Sequence, residues 1–260
     1  MVIADRGDRP MSPEAVACRL RDLLLERLGS DVVAIWHYGA ATFGHPAIDV
    51  DLHVVLRRQL TPDEWNAVTA IHDHLVEVSS FPHEDLDFWY ISLSDAKASS
   101  HPRHLAPWAN GLADAHWPLY RAHWLAGKCK VIHGPHPAEI VRPPTWEELQ
   151  SALWQELERP GLSDASPYWV LQLARVWASL ETRDVVRSKL DSAAWALERL
   201  PWEFQAIVEA AMRFYRRCPN PGDEQLFVDD FPMFIVEIRR RAGANAQQPP
   251  NRFGHVCLLV

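Results

Sequence analysis

Asp49 and Asp51 stand two residues apart in Ile48-Asp49-Val50-Asp51-Leu52-His53-Val54-Val55, and Asp87 lies inside Leu86-Asp87-Phe88-Trp89-Tyr90-Ile91. On a strand, side chains two apart share a face, so Asp49, Asp51 and His53 point one way and Val50, Leu52 and Val54 the other. Two residues of strand advance ~6.6 Å, close enough for one or two divalent cations to bridge both carboxylates. Without a cation the two charges repel. A solvated sheet face would also tolerate the pair, but the stretch just ahead of it, Tyr38-Gly39-Ala40 through Gly44, reads as a glycine turn whose backbone N–H groups could hold phosphate. Asp87, set among apolar and aromatic residues, is poorly suited to remain without a partner. If its strand neighbours that of Asp49 and Asp51, three acids meet at one sheet edge. Hard cations, and phosphoryl or nucleotidyl transfer, are then the natural chemistry.

Positioning these acids requires strands, and the sequence supplies them. Ser12-Pro13-Glu14 is a helix start followed by Leu20, Leu23, Leu24 and Leu28 on one face, with Gly29 as its stop. Val32 to His37 reads as a first strand and Ile48 to Leu56 as a second. Thr61-Pro62-Asp63-Glu64 is a capping box that opens a helix to about Val78, and Leu86 to Ile91 is a third strand. Ser99 to Asn110, with its histidines and prolines, is expected to be a loop over the site. After Pro143-Pro144 the pattern becomes helical: Thr145-Trp146-Glu147-Glu148 is another capping box, and Tyr168 to Leu180, Ser192 to Leu200 and Pro201 to Arg217 are amphipathic. The expected organisation is therefore α+β: a mixed sheet with flanking helices over residues 1–144, a helical bundle over 145–243, and a tail from 244 to 260.

Bulk properties narrow the partners. With 260 residues and 48% hydrophobic content the chain can bury a substantial core. Its apolar runs are far shorter than the ~20 residues of a membrane helix. The charged start MVIADRGDRPMSPE is unlike a secretory peptide, so a cytoplasmic location is expected. A net charge of −8, with Arg and Lys scattered, argues against nucleic acid and suits a cationic small molecule. The four cysteines form no CxxC pair, and the 13 histidines lack the paired spacing of a metal site.

The order strand, glycine turn, Asp-x-Asp and later acid resembles the polymerase-beta-like nucleotidyltransferases. The run VLQLARVWASLETRDVVRSKLDSAAWALERLP is similar to the helical domain of the streptomycin/spectinomycin-type aminoglycoside adenylyltransferases, which carry L-x-R-x-W, a lysine and W-A-x-E-R-L-P. The likeness extends from about Val33 to Tyr215, and its helical half is the more specific. It implies an enzyme that moves AMP from Mg-ATP to a hydroxyl of an aminoglycoside-like cation. Asp49 and Asp51 would bind Mg2+, and Asp87 would take the position of the catalytic base, usually a glutamate. Gly39 and Ala40 would form the nucleotide turn, with Arg175 and Lys189 reaching the ATP phosphates. Asp164 would hold the cationic acceptor and Trp108 would offer an aromatic wall.

Two positions depart from the family pattern. Where the family carries serines after the glycine and before the first metal aspartate, this chain has Ala40 and Ile48. Each lost hydrogen bond to phosphate is worth ~0.5–1.5 kcal/mol, or up to ~3 with a charged partner. Two alternatives follow: a nucleotidyltransferase with another acceptor, or a non-catalytic protein that binds a ligand in the same fold.

Overall fold

The computed structural model describes residues 11–45, 49–79, 81–98, 101–109 and 111–244. The chain divides into two compact units, Met1–Pro144 and Thr145–Val260. Ile48, Cys257 and the tail from 245 lie outside the described residues.

The first unit opens with α1 (Pro13–Leu28), whose first turn is capped by the Ser12 hydroxyl accepting from the Ala15 N–H at 3.2 Å. Val16, Leu20, Leu24 and Leu28 form its buried stripe, and Gly29 closes it at φ 54°. Then follow β1 (Val32–His37), β2 (Val50–Leu56), α2 (Pro62–Ser79), β3 (Leu86–Ser92), α3 (Leu93–Ala98), α4 (Trp117–Leu125), β4 (Lys130–His133) and α5 (Pro137–Ile140). The sheet order is β3-β2-β1-β4, with β1 antiparallel to both neighbours and β2 parallel to β3. A parallel pair cannot be closed by a hairpin, and α2 supplies the long return. Its capping box is formed as expected, with Glu64 accepting from the Thr61 N–H at 2.7 Å.

Each sheet face has its own core. Val50, Leu52, Val54, Leu86, Phe88 and Tyr90 pack with the α1 and α2 stripes. On the other face Ala34, Trp36, Val55 and Ile91 meet Ala96 of α3, Trp117 and Trp124 of α4, and Ile140 of α5. The acids share this second face, at its open end.

Three details differ from the sequence expectation. Strand β2 begins at Val50, so Asp49 stands at its mouth in a bend. The segment from His101 is no free loop: Arg103 bridges Ala113, and His104 and Asp114 donate backbone N–H groups to Leu112 and Pro102. The fourth strand was not foreseen, because four residues reading Lys-Val-Ile-His show no marked alternation.

The second unit contains α6 (Trp146–Glu158), α7 (Pro167–Thr182), α8 (Lys189–Leu197), α9 (Gln205–Tyr215) and α10 (Asp223–Ala244). Helix α7 is its axis, buried along Val170, Leu173, Ala174 and Trp177 and packed by the other four. Thr145, Ser166 and Ser188 cap three of these helices through their hydroxyls. Such caps contribute ~1 kcal/mol each. Among the described residues no helix is long and apolar enough to cross a membrane.

Candidate active site

Asp51 and Asp87 are direct partners in the parallel register of β2 and β3, and His53 pairs in the same way with Trp89. All four side chains therefore lie on one sheet face. The backbone of Gly39 closes over Asp51. A Cβ added at Gly39 would stand 1.9 Å from the Asp51 Oδ2, and the residue holds φ +82°. Only glycine permits both the approach and the conformation. The Tyr38 N–H donates to the Asp51 carbonyl at 3.1 Å, which fixes the turn against β2.

Beyond Gly39 the chain makes a short helical turn, Ala40–Phe43, in which Thr42 donates both its N–H and its hydroxyl to the Gly39 carbonyl, at 3.1 and 2.8 Å. Helical turns leave their first N–H groups without partners inside the turn. Here that end belongs to Ala40 and Ala41, beside the acids. Phe43 anchors the far end, with the Lys128 ammonium 4.8 Å from its ring centroid and the His123 ring edge-on at 5.5 Å.

Burial pushes the Asp87 carboxyl above the ordinary aspartate range; the Trp89 indole and the His53 charge oppose the rise, and Asp49 and Asp114 add to it. The Tyr38 phenol is also raised, first by burial and then by Tyr120, Asp87, Asp51 and Asp114. Negative charge is thus concentrated at this end of the sheet. Its oxygen donors suit a hard divalent cation. Among the described residues no group of three or more His, Cys, Asp or Glu side chains is arranged as a metal cage. Asp49 and Asp51 would accordingly supply two ligands and leave the rest to phosphate and water, which is how magnesium is commonly held.

One acid here was missed by sequence reasoning. Asp114 is buried behind the pair, its Oδ2 3.3 Å from His53 Nε2 and 3.9 Å from His104 Nε2. Its Oδ1 accepts from the His116 N–H at 2.9 Å. Despite burial its carboxyl is held below the usual range by the hydrogen bond and charge of His53, then by His104 and His116. The signal available was the one that exposed Asp87, an acid among apolar and aromatic neighbours.

Trp108 is placed elsewhere. Its ring meets Trp65, His72 and Tyr90 at 5.6, 5.3 and 6.2 Å, on the sheet face opposite the aspartates. Tyr90 alternates with Asp87 along β3, so a wall built on it faces α2 instead.

In the second unit, Arg175 on α7 donates to Gln172 Oε1 at 2.8 Å, and Gln172 donates to the buried Glu156 of α6 at 2.7 Å. Lys189, the first residue of α8, holds its ammonium 3.9 Å from the Tyr168 ring centroid. Asp164 is exposed, and its Oδ2 accepts from the Gly161 N–H at 2.6 Å within a short turn.

Comparison with known proteins gives a match for the fold and one for the C-terminal half. A solved structure of the spectinomycin adenyltransferase AAD(9) from Enterococcus faecialis, with ATP and spectinomycin, matches at a TM-score of 0.69 and 14% identity, over 86% of this chain and 97% of that one. The two share a fold. Residues 144–231 match the family model described as aminoglycoside adenylyltransferase, C-terminal domain. Over those residues, about a third of its length, the chain is similar to the C-terminal domain of the aminoglycoside adenylyltransferases. No curated protein matches the sequence.

Proposed function

We propose that the protein transfers AMP from Mg-ATP to a hydroxyl of an aminoglycoside-like cation and releases pyrophosphate. The observation that carries this reading is the pairing of Asp51 with Asp87 under the Gly39 turn. The C-terminal family match, and the ATP and spectinomycin of the solved relative, support donor and acceptor class. A cytoplasmic site of action goes with ATP as donor.

In the reaction the acceptor hydroxyl oxygen forms a bond to the α-phosphorus, and the bond from that phosphorus to the bridging oxygen of the β-phosphate breaks. The electron pair leaves with pyrophosphate. Asp87 takes the hydroxyl proton, and a carboxyl raised by burial holds a proton better than an ordinary aspartate. Asp49 and Asp51 would hold magnesium, which would supply positive charge to the reacting phosphate and the leaving oxygens. The N–H groups at the start of the Ala40–Phe43 turn face phosphate oxygens. Arg175 and Lys189 neutralise the pyrophosphate, and Asp164 attracts the cationic acceptor. With Trp108 on the opposite sheet face, no aromatic wall is assigned to it.

The test is to incubate the protein with magnesium, each of the four nucleoside triphosphates and a panel of aminoglycosides including spectinomycin, and to search by mass spectrometry for an acceptor carrying one nucleoside monophosphate. Asp51→Asn should abolish the product while the fold survives, because an amide oxygen binds magnesium far less well than a carboxylate. Equal turnover by that variant would refute the metal assignment. The missing hydroxyl at Ala40 favours a second reading, a ligand-binding protein without turnover. Nucleotide binding with no product on any acceptor would select it.

A further inference from the structure

The face that carries Asp51 and Asp87 continues inward to His53 and Trp89, which pair across the same register. These two rings form the floor behind the acids. His53 is fully buried, and the rings of Tyr38, Trp117, Tyr120 and Trp124 stand 4.9–5.7 Å from it. Trp89 is backed by His104, with ring centroids 3.6 Å apart. One carboxylate faces both halves of the floor: Asp114 hydrogen-bonds the His53 Nε2 at 3.3 Å and packs against His104, whose Nε2 is 3.9 Å away. Asp114 is itself fixed by its backbone, with its N–H on the Pro102 carbonyl and its carbonyl accepting from Trp117.

A buried carboxylate between two imidazoles is a costly way to fill space. Removing charged groups from water costs several kcal/mol, and well-packed apolar residues of similar volume often serve stability as well or better. Packing alone does not account for its position behind the acid assigned as base. Strand register fixes the Asp87 backbone, but its carboxylate must also be held for proton acceptance; across the strands it faces Asp51, and the next residues inward on the same face are Trp89 and His53.

We propose that Asp114 is a positioning residue for the transfer reaction: by holding His53 through a hydrogen bond and packing against His104, which backs Trp89, it keeps the Asp87 carboxylate in the orientation that accepts the acceptor proton. This inference rests on the adenylyl-transfer reading. A misplacement of a catalytic group by about 1 Å can cost roughly hundredfold in rate. Asp114→Asn keeps the side-chain volume and removes the charge that both imidazoles share. It should lower kcat about ten- to hundredfold, with KM for ATP unchanged within about twofold.

The deciding measurement is a double-mutant cycle with Asp87→Asn. If Asp114 acts through Asp87, adding Asp114→Asn to Asp87→Asn costs little further rate. A cost that is the same in both backgrounds, or a fall that tracks lost folded protein by circular dichroism, would overturn the proposal. Should Asp114→Asn fail to fold, His104→Phe keeps a ring against Trp89 and removes the link to Asp114. In the same cycle it should show the same loss of additivity, and additive costs would again overturn the proposal. A wild-type protein that transfers AMP but gives an additive cycle sinks the positioning role alone. A wild type with no transfer on any acceptor removes the adenylyl-transfer reading and this role with it.

Discussion

The Asp51 carboxylate lies directly against the Cα of Gly39, so close that a methyl group placed there would stand 1.9 Å from its Oδ2. The acid assigned to the metal and the turn assigned to the nucleotide thus share one fitted contact. Gly39→Ala should displace the carboxylate and strain a residue held at φ +82°. Transfer should fall roughly hundredfold, with a stability loss of ~1–3 kcal/mol for the strained backbone. Steady-state rates and urea denaturation check the two parts, and near-normal turnover would show that the contact can relax without consequence.

Asp87 is assigned the proton and not the nucleotide. Asp87→Asn should reduce the single-turnover rate by about two to four orders of magnitude and leave ATP affinity nearly intact. Asp87→Glu should retain activity, since a longer carboxylate still accepts a proton. If the asparagine variant mainly weakened ATP binding, the residue would be a metal ligand and the base would lie elsewhere.

Ala40 opens the helical turn beside the acids without a hydroxyl. Ala40→Ser should add a hydrogen bond to an anionic phosphate worth ~1.4–2.8 kcal/mol, which corresponds to about ten- to hundredfold in affinity. The gain should appear in the Mg-ATP constant and not in that of the acceptor. Titration calorimetry on the two proteins decides it, and equal affinity would place the turn away from phosphate.

His72 offers a test of stability against pH. Its Nε2 lies 2.7 Å from the buried Tyr90 hydroxyl, and burial, helped by His83, pushes its pKa down to about 4. The unfolded chain takes up a proton near pH 6.5 that the folded protein refuses. Its contribution is therefore complete above pH 6.5 and is lost as pH falls toward 4, by as much as ~3 kcal/mol. His72→Gln, which can still bond the Tyr90 hydroxyl, should flatten the decline. Denaturant melts at pH 7, 5.5 and 4.5 would reveal it, and parallel curves for both proteins would exclude His72 as a source.

The parts of this fold that carry local signals were legible in the sequence. Ser12 and Thr61 announce helix starts by side chains that reach their own first turns. The alternation in β2 separates the acids from Val50, Leu52 and Val54 because a period of two has no other solution. That β2 and β3 would be adjacent and parallel was conditional in the sequence, since register depends on contacts across α2. Trp108 was harder: its ring is committed by Trp65 and Tyr90, which lie far away in the chain. Asp114 carried the same local signal as Asp87, an acid among apolar and aromatic neighbours, but Ala-Asp-Ala-His-Trp gives no sign of the two distant histidines it meets. Helix α10 could not be bounded because Pro232 and a dense set of charges interrupt its pattern.

The alternation along β2 has a consequence for how the strand finds its place. A slip of one residue against β3 would turn Asp49, Asp51 and His53 toward Leu20, Leu24 and Trp65, and would push Val50, Leu52 and Val54 toward the open end of the sheet. Misregistered chains would thus sink three ionisable groups in hydrocarbon and be rejected at a cost of several kcal/mol each. The residues assigned to chemistry also proofread the assembly of the sheet: a variant that replaced the acids with apolar residues would lose not only its reaction but its protection against wrong pairing.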